Sequence, residues 1–146
     1  MDKDSPCIVV ACDGSEQSLS AAKLASDLAE AMGHPLKLLT VYPYAKSSVL
    51  VVAGVERGKI DEEREKHGQE VFGAARGVLG GQVEIREEIL LNGDPAHEIL
   101  EYMHNHPGAH LVLGRRGFSA VRSLLLGSVS EKVVRHATGP VTVVGQ

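Results

Sequence analysis

Short apolar runs alternate along the chain with segments of helical periodicity. The run from Cys7 to Cys12 is continuously apolar and rich in β-branched residues, which is typical of a strand covered on both faces. The run that begins at Val83 alternates apolar and charged residues in its first half, as an edge strand does. The pattern predicts five strands, at Cys7–Cys12, Leu36–Tyr42, Val83–Leu91, His110–Gly114 and Val141–Val144.

Helix start and stop signals lie between these runs. Capping residues, first-turn proline and terminal glycines predict three helices: from Ser15 to Gly33, from Asp94 and Pro95 to before Pro107, and from Ser128 to Gly139. A fourth helix, at about Glu56 to Leu79, is expected within the connection between the second and third strands. The stretch Pro43–Val55 is compatible with a mobile flap or with part of a partner surface. The residue pattern does not choose between these two interpretations.

This order of strands and helices favours an α/β fold, in which a parallel sheet carries helices on both faces, as in Rossmann-like proteins. The chain has 146 residues, of which 43% are hydrophobic, and this is enough for one sizeable core. We therefore expect a single domain over residues 1–146.

Composition excludes several functions. Fifteen basic against nineteen acidic residues give a net charge of −4, and only 3% of residues are aromatic, so neither a general basic surface nor stacking platforms for nucleic acid are expected. No apolar run is long enough to span a membrane or to form a signal peptide, which predicts a cytoplasmic protein without membrane insertion. Cys7 and Cys12 lie five apart in one predicted strand, on opposite faces, so they cannot pair.

A ligand is expected at the carboxyl ends of the strands, where the loops of an open α/β sheet form a crevice. The loop from Gly114 to Ser130 is much longer than a strand-to-helix turn requires, and such loops are commonly functional. It carries glycines and arginines, and no acidic residue occurs from Tyr102 to Ser130. Gly127 and Ser128 come where the next helix presents unpaired main-chain amides, with Ser128 and Ser130 adding hydroxyl donors. This combination indicates a phosphate-binding loop.

A second interpretation of the same residues is purely local. Ser128 with Glu131 fits a capping box, in which the serine oxygen accepts from the amides of its own helix and the glutamate bonds back to the cap. Gly127 would then be only a turn residue. The metal-binding alternative is weaker, because His97-Glu98 begins like a zinc motif but lacks the second histidine. We therefore assign no metal site.

The sequence resembles the universal stress protein family over nearly its whole length. Its most specific element is Gly114-x2-Gly117-x9-Gly127-Ser128, which is similar to the signature of the ATP-binding branch of that family. The segments Ile8–Leu19, Asn92–Leu100 and Leu124–Val144 also resemble family segments, whereas Pro43–Lys59 is the least similar part.

The resemblance implies a five-stranded sheet of order 3-2-1-4-5 and an ATP or other adenine-nucleotide ligand, with or without Mg²⁺. By matched position, Asp13 would contact the ribose or adenine end, and the backbone of Val41 would bind the adenine edge. The ribose and phosphates would be held by Gly114, Gly117, Gly127, Ser128 and Val129, with Arg116 facing the phosphates. The resemblance also implies a homodimer formed through the last strand, Val141–Val144.

Three functions follow from this. The favoured one is a nucleotide-binding, stress-response regulatory protein without dedicated catalytic residues. The alternatives are a slow ATPase or an autophosphorylating enzyme with Ser128 or Ser130 as acceptor, and a dimeric adaptor that binds a partner protein without needing nucleotide. We expect Val at Gly114 or Gly127 to abolish nucleotide binding while leaving the fold unchanged.

Overall fold

The sheet that the sequence predicts is present. A computed structural model describes residues 4–80, 83–116 and 126–145, without the side chains of residues 44 and 45. Strands and helices alternate in the following order: β1 (Cys7–Ala11), α1 (Glu16–Met32), β2 (Leu36–Pro43), α2 (Tyr44–Val52), α3 (Arg57–Val78), β3 (Ile85–Gly93), α4 (Pro95–Asn105), β4 (Ala109–Gly114), α5 (Ser128–His136) and β5 (Val141–Val144).

The five strands form one parallel sheet of order β3-β2-β1-β4-β5, which confirms the predicted fold class and strand order. β1 lies at the centre, between β2 and β4, and successive strands leave it in opposite directions along the sheet. This is the point at which strand order reverses and where open α/β sheets bind their ligands. β3 and β5 lie at the two edges, and every residue of β5 is half-buried.

Two apolar clusters cover the two faces of the sheet. Side chains alternate between the faces along each strand, so Ile8 and Val10 pack with α1 and α3, whereas Val9 packs with α4 and α5. Cys7 and Cys12 belong to different clusters and are both free thiols, as the sequence predicts. The layers hold the strand ends rigidly and so position the loops that follow them.

The helix boundaries follow local chemistry at most ends. The Ser15 side chain accepts from the Ser18 N–H at the start of α1, and Gly33 ends that helix with a φ of 66°. Asp94 accepts from the His97 N–H at the start of α4. These capping residues are those that the sequence predicts.

The segment Pro43–Val55, which the residue pattern left open, contains α2. Pro43 is its N-cap and makes no side-chain capping bond, so no capping signal marks the start of this helix. Val49, Val51 and Val52 are exposed on it. α2 packs against β2, β3 and α3 and thereby borders the carboxyl edge of the sheet.

Candidate nucleotide-binding site

A cavity of about 400 Å³ opens at the carboxyl ends of β1, β2 and β4. This volume lies within the range of small-ligand sites in proteins. Among the described residues, its walls include eight of the predicted site residues: Asp13, Val41, Gly114, Arg116, Gly127, Ser128, Val129 and Ser130. The ninth, Gly117, lies outside the described residues, as do Phe118, Val121, Arg122 and Leu125 of the same loop. The structure thus brings together residues that are as far apart in sequence as Asp13 and Ser130.

The end of β1 is shaped by a turn around Asp13. The Ser15 main-chain N–H donates a 2.9 Å hydrogen bond to Asp13 Oδ1, and the Asp13 N–H donates a 3.2 Å bond to Ser18 Oγ. Asp13 itself is exposed and borders the cavity. One carboxylate oxygen therefore holds the turn of a residue that a ligand in the cavity can reach.

β2 extends beyond the end of β1 and supplies the next wall. The Cys12 N–H donates a 2.7 Å bond to the Leu39 carbonyl, and Thr40 Oγ1 donates a 2.6 Å bond to the Cys12 carbonyl. In a strand, the main-chain polar groups of alternate residues point to the same side, so those of Val41 point as those of Leu39 do. With β1 ended, the Val41 main chain faces the cavity, where it can pair with a polar edge of a ligand.

The opposite wall is formed where the long loop returns to the sheet. The Gly127 N–H donates a 2.9 Å bond to the Arg115 carbonyl, and the Arg115 N–H donates a 2.8 Å bond to the Val144 carbonyl of β5. The first helical bond of α5 runs from the Glu131 N–H to the Gly127 carbonyl, at 2.9 Å. The amides of Ser128, Val129 and Ser130 thus precede the first intrahelical bond and carry the positive end of the helix dipole.

The capping-box interpretation of this turn is wrong. The N-cap of α5 is Gly127, which has no side chain to accept from the helix amides, and Ser128 is already the first helical residue. Glu131 is therefore one position too far along to complete the box. The first-turn amides border the cavity without a side-chain cap from Gly127.

The two serines of this turn have different environments. Ser130 is buried and its Oγ donates a 2.7 Å hydrogen bond to the Gly114 carbonyl, which ties the first turn of α5 to the end of β4. Ser128 is exposed. A ligand in the cavity can therefore meet the Ser128 hydroxyl as a donor, whereas the proton of Ser130 is already shared with the main chain.

Packing against α1 leaves little room for a side chain at Gly114. A Cβ built at this position would lie 3.0 Å from the main chain of Gln17 in α1, which is tighter than ordinary van der Waals contact. The expectation that Val at Gly114 leaves the fold unchanged is therefore wrong, because a larger side chain would force α1 away from β4. Variants at Gly114 report on packing first.

Sequence reasoning missed two basic residues of the cavity wall, Lys46 and His67. Lys46 lies on α2, which the residue pattern did not predict, and His67 lies on α3 among charged residues, a pattern that is typical of a solvated helix face. Burial and the nearby Lys46 ammonium lower the pKa of His67, although Glu70 opposes this shift. Only tertiary structure places these side chains at the ligand cavity.

Cys12 also borders the cavity but its thiol is not activated. Burial, and to a smaller degree the Asp13 carboxylate, raise the pKa of Cys12 to about 12. The thiol is therefore protonated at neutral pH and contributes apolar surface rather than a nucleophile.

Within residues 4–80, 83–116 and 126–145, no three His, Cys, Asp or Glu side chains are grouped as a metal site would need. In the same ranges, no helix combines the length and apolarity that crossing a membrane requires.

Several known proteins are similar to this chain in sequence or in fold. The universal stress protein YxiE of Bacillus subtilis is 35% identical over 143 residues, which span 94% of this chain and 97% of the relative. A solved universal stress protein in complex with cAMP is 27% identical, with a TM-score of 0.65 and coverage of 97% of this chain and 98% of its own. A universal stress protein of Archaeoglobus fulgidus in complex with dAMP shares the fold at 20% identity, with a TM-score of 0.64 and coverage of 96% and 98%.

The family model of the universal stress proteins matches residues 7–145 of this chain. This match includes every strand and every helix described above. The chain belongs to the universal stress protein family.

Proposed function

We propose that this chain acts as one domain that binds ATP or another adenine nucleotide and regulates a stress response through its bound state. The proposal places it in the ATP-binding branch of the family. The observation that carries it is the single cavity wall shared by the predicted residues of β1, β2, β4 and α5.

The phosphates would lie against the first turn of α5. The amides of Ser128 and Val129 border the cavity there, and an anion at a helix N-terminus is stabilised both by these donors and by the dipole. Arg116 borders the same end of the cavity and adds positive charge. A Mg²⁺ ion could accompany ATP, held mainly by phosphate and water, because Asp13 is the one carboxylate among the described wall residues.

The nucleoside would lie across the ends of β1 and β2. Leu39 of β2 and Ile99 of α4, a helix that packs against β2, give this part of the cavity an apolar surface that suits a purine ring. The main chain of Val41 offers one donor and one acceptor, which matches the ring nitrogen and amino group on the adenine edge. The exposed Asp13 carboxylate can accept from ribose hydroxyls. The cAMP and dAMP complexes of related proteins support an adenine nucleotide at this site.

The test is a charge change at Ser128. Asp at the first helical position is favourable for α5, because it pairs with the helix dipole, but it repels a phosphate at the same amides. We expect Ser128→Asp to keep or raise the melting temperature while weakening ATP binding by roughly tenfold or more. Ser128→Asn is the matched neutral control and should bind ATP nearly as the wild type does.

Calorimetric titration with ATP measures these affinities, and chromatography of acid-released small molecules identifies any nucleotide that copurifies. Equal ATP affinity in wild type and Ser128→Asp would contradict the phosphate position. Absence of any adenine-nucleotide binding by the wild type would overturn the proposed function and leave the nucleotide-independent adaptor.

Dimer formation through β5 is a separate part of the proposal. β5 is an edge strand that pairs with β4 on one side, and its residues Val141–Val144 are half-buried. An edge of this kind is favourable for strand pairing with a second copy. Light scattering should give the mass of a dimer, and a monomeric mass at micromolar concentration would contradict this part.

A further inference from the structure

Two basic side chains form the wall of the cavity that follows β2. Lys46 on α2 and His67 on α3 both border the main cavity and also an adjoining polar chamber of about 310 Å³. Lys46 is exposed and His67 is half-buried. These residues therefore stand between the two spaces, where a ligand in the main cavity can contact them.

Tyr42 holds both side chains in place. Its buried ring meets the His67 imidazole edge to face, with the ring centroids 5.4 Å apart, and the Lys46 ammonium lies 5.9 Å from the Tyr42 centroid. Both contacts are of the type that orients aromatic and cationic groups. Both side chains thus contact a residue at the end of β2, the strand whose carboxyl end borders the cavity.

The basic groups on the two sides of the cavity are separated by β1. Lys46 follows β2, whereas Arg116 and the amides of α5 follow β4, and β1 lies between these strands. Two strand spacings amount to roughly 10 Å. Asp13, at the end of β1, lies between them. The cavity therefore presents a cation, a carboxylate and a second cationic region in that order.

This order matches the chemistry of a nucleotide along its length. A base presents hydrogen-bond acceptors, a ribose presents hydroxyl donors and the phosphates are anionic. We propose that Lys46 and His67 contact the base and determine which bases the site accepts. The inference rests on the proposed function, because it concerns the base of the same nucleotide whose phosphates would lie against α5.

The two side chains differ in what they can recognise. The Lys46 ammonium donates only, so it favours a ring nitrogen or a carbonyl oxygen. The lowered pKa of His67 leaves its imidazole neutral at pH 7, with one nitrogen that donates and one that accepts. Bases differ in where donors and acceptors stand along their edges, so the two side chains together can favour one base over another.

The other charged groups around His67 lie on the side of the polar chamber. Glu63, Lys66 and Glu70 of α3 border that chamber and are absent from the wall of the main cavity. Their two negative charges and one positive charge offset part of the field of Lys46. A ligand in the main cavity thus meets Lys46 and His67 before any other charged residue of α2 or α3.

The experiment measures how strongly two variants, Lys46→Met and Ser128→Asp, bind two ligands, ATP and adenosine. Lys46→Met removes the ammonium at the base end, and Lys59→Met, an exposed lysine of α3 outside the cavity wall, is the matched control. We expect Lys46→Met to weaken the binding of ATP and the binding of adenosine by the same factor, roughly tenfold. Ser128→Asp should weaken the binding of ATP but leave the affinity for adenosine within about twofold of the wild-type value, because adenosine has no phosphate.

Selectivity gives the second measurement. His67→Gln keeps a donor and an acceptor but changes their positions, and we expect it and Lys46→Met to change the ratio of the affinities for adenosine and uridine. A loss for ATP alone in Lys46→Met would place the lysine at the phosphates and overturn the inference. So would unchanged affinities for both ligands, or an unchanged preference in both variants. If the wild type binds neither ATP nor adenosine, the proposed function fails with it.

Discussion

The main-chain N–H of Arg116 donates a 2.8 Å hydrogen bond to Oε1 of Gln17, although the two residues are 99 positions apart in sequence. Gln17 lies in the first turn of α1, just after the turn held by Asp13, and Arg116 begins the long loop that follows β4. One side chain thus connects the loops that follow β1 and β4, which border the candidate nucleotide site on two sides.

Removing this connection should loosen the site. Gln17→Ala leaves the half-buried Arg116 N–H without its acceptor, and we expect a loss of about 1–2 kcal/mol in the free energy of unfolding. Urea denaturation measures this loss, and hydrogen exchange at the Arg116 amide should accelerate in the variant. Gln17→Glu keeps an oxygen in the same place and serves as the control. A slow, unchanged exchange rate in Gln17→Ala would show that the bond does not restrain the loop.

Replacing Gly114 with alanine should lower the stability of the protein, whereas the same replacement at Gly77 should raise it. Gly114→Ala places Cβ 3.0 Å from the Gln17 main chain, and the overpacking should cost about 1–3 kcal/mol of stability. Gly77 in α3 has nothing within 4 Å of a built Cβ, so Gly77→Ala should stabilise the protein by about 0.5–1 kcal/mol. Thermal unfolding of both variants tests this, and similar shifts of the same sign would contradict the packing argument.

Asp13 allows its charge to be separated from its structural bond. Asp13→Asn retains Oδ1 as the acceptor for the Ser15 N–H, so stability should change by less than about 0.5 kcal/mol. The neutral amide is a weaker acceptor for ribose hydroxyls, and adenosine affinity should fall by roughly three- to tenfold. Asp27→Asn, on the exposed face of α1, removes the same charge away from the cavity. Equal affinities in the two variants would exclude a ribose contact at Asp13.

Cys12 makes stability depend on alkaline pH. Its pKa is raised from 9.0 to about 12 in the folded chain, so above pH 9 the unfolded state releases the thiol proton while the folded state keeps it. The contribution is fully present below pH 9 and is lost as pH rises towards 12, by up to about 1.4 kcal/mol per pH unit. Cys12→Ala should be less stable at pH 7 but should show a shallower decline between pH 8 and 10 in urea denaturation. Parallel declines would show that the Cys12 thiol does not titrate on unfolding in this range.

Much of the fold could be predicted because its signals are local. Ser15 and Asp94 have the residue types that cap helices, and the apolar runs identify the strands directly. The strand order did not follow from any such signal, because parallel pairing joins residues far apart in sequence. It came from the family resemblance and agrees with the observed sheet.

In the candidate site, too, some residues could be predicted from the sequence and others could not. Gly127 and Ser128 belong to a motif with fixed spacing, and both border the cavity. Lys46 and His67 belong to no motif, and each becomes a wall residue only through the packing of α2 and α3 against the end of β2. Gly114 belongs to the same motif and also borders the cavity, but its contact with Gln17 depends on how α1 crosses the sheet.

The hydrogen bond from the Gly127 N–H to the Arg115 carbonyl closes the base of the long loop on the sheet. Because Arg115 is anchored to β5 and Gly127 starts α5, the position of the first-turn amides is set from the edge of the sheet at β5. A change in that edge strand would therefore be transmitted to the helix that we propose binds the phosphates.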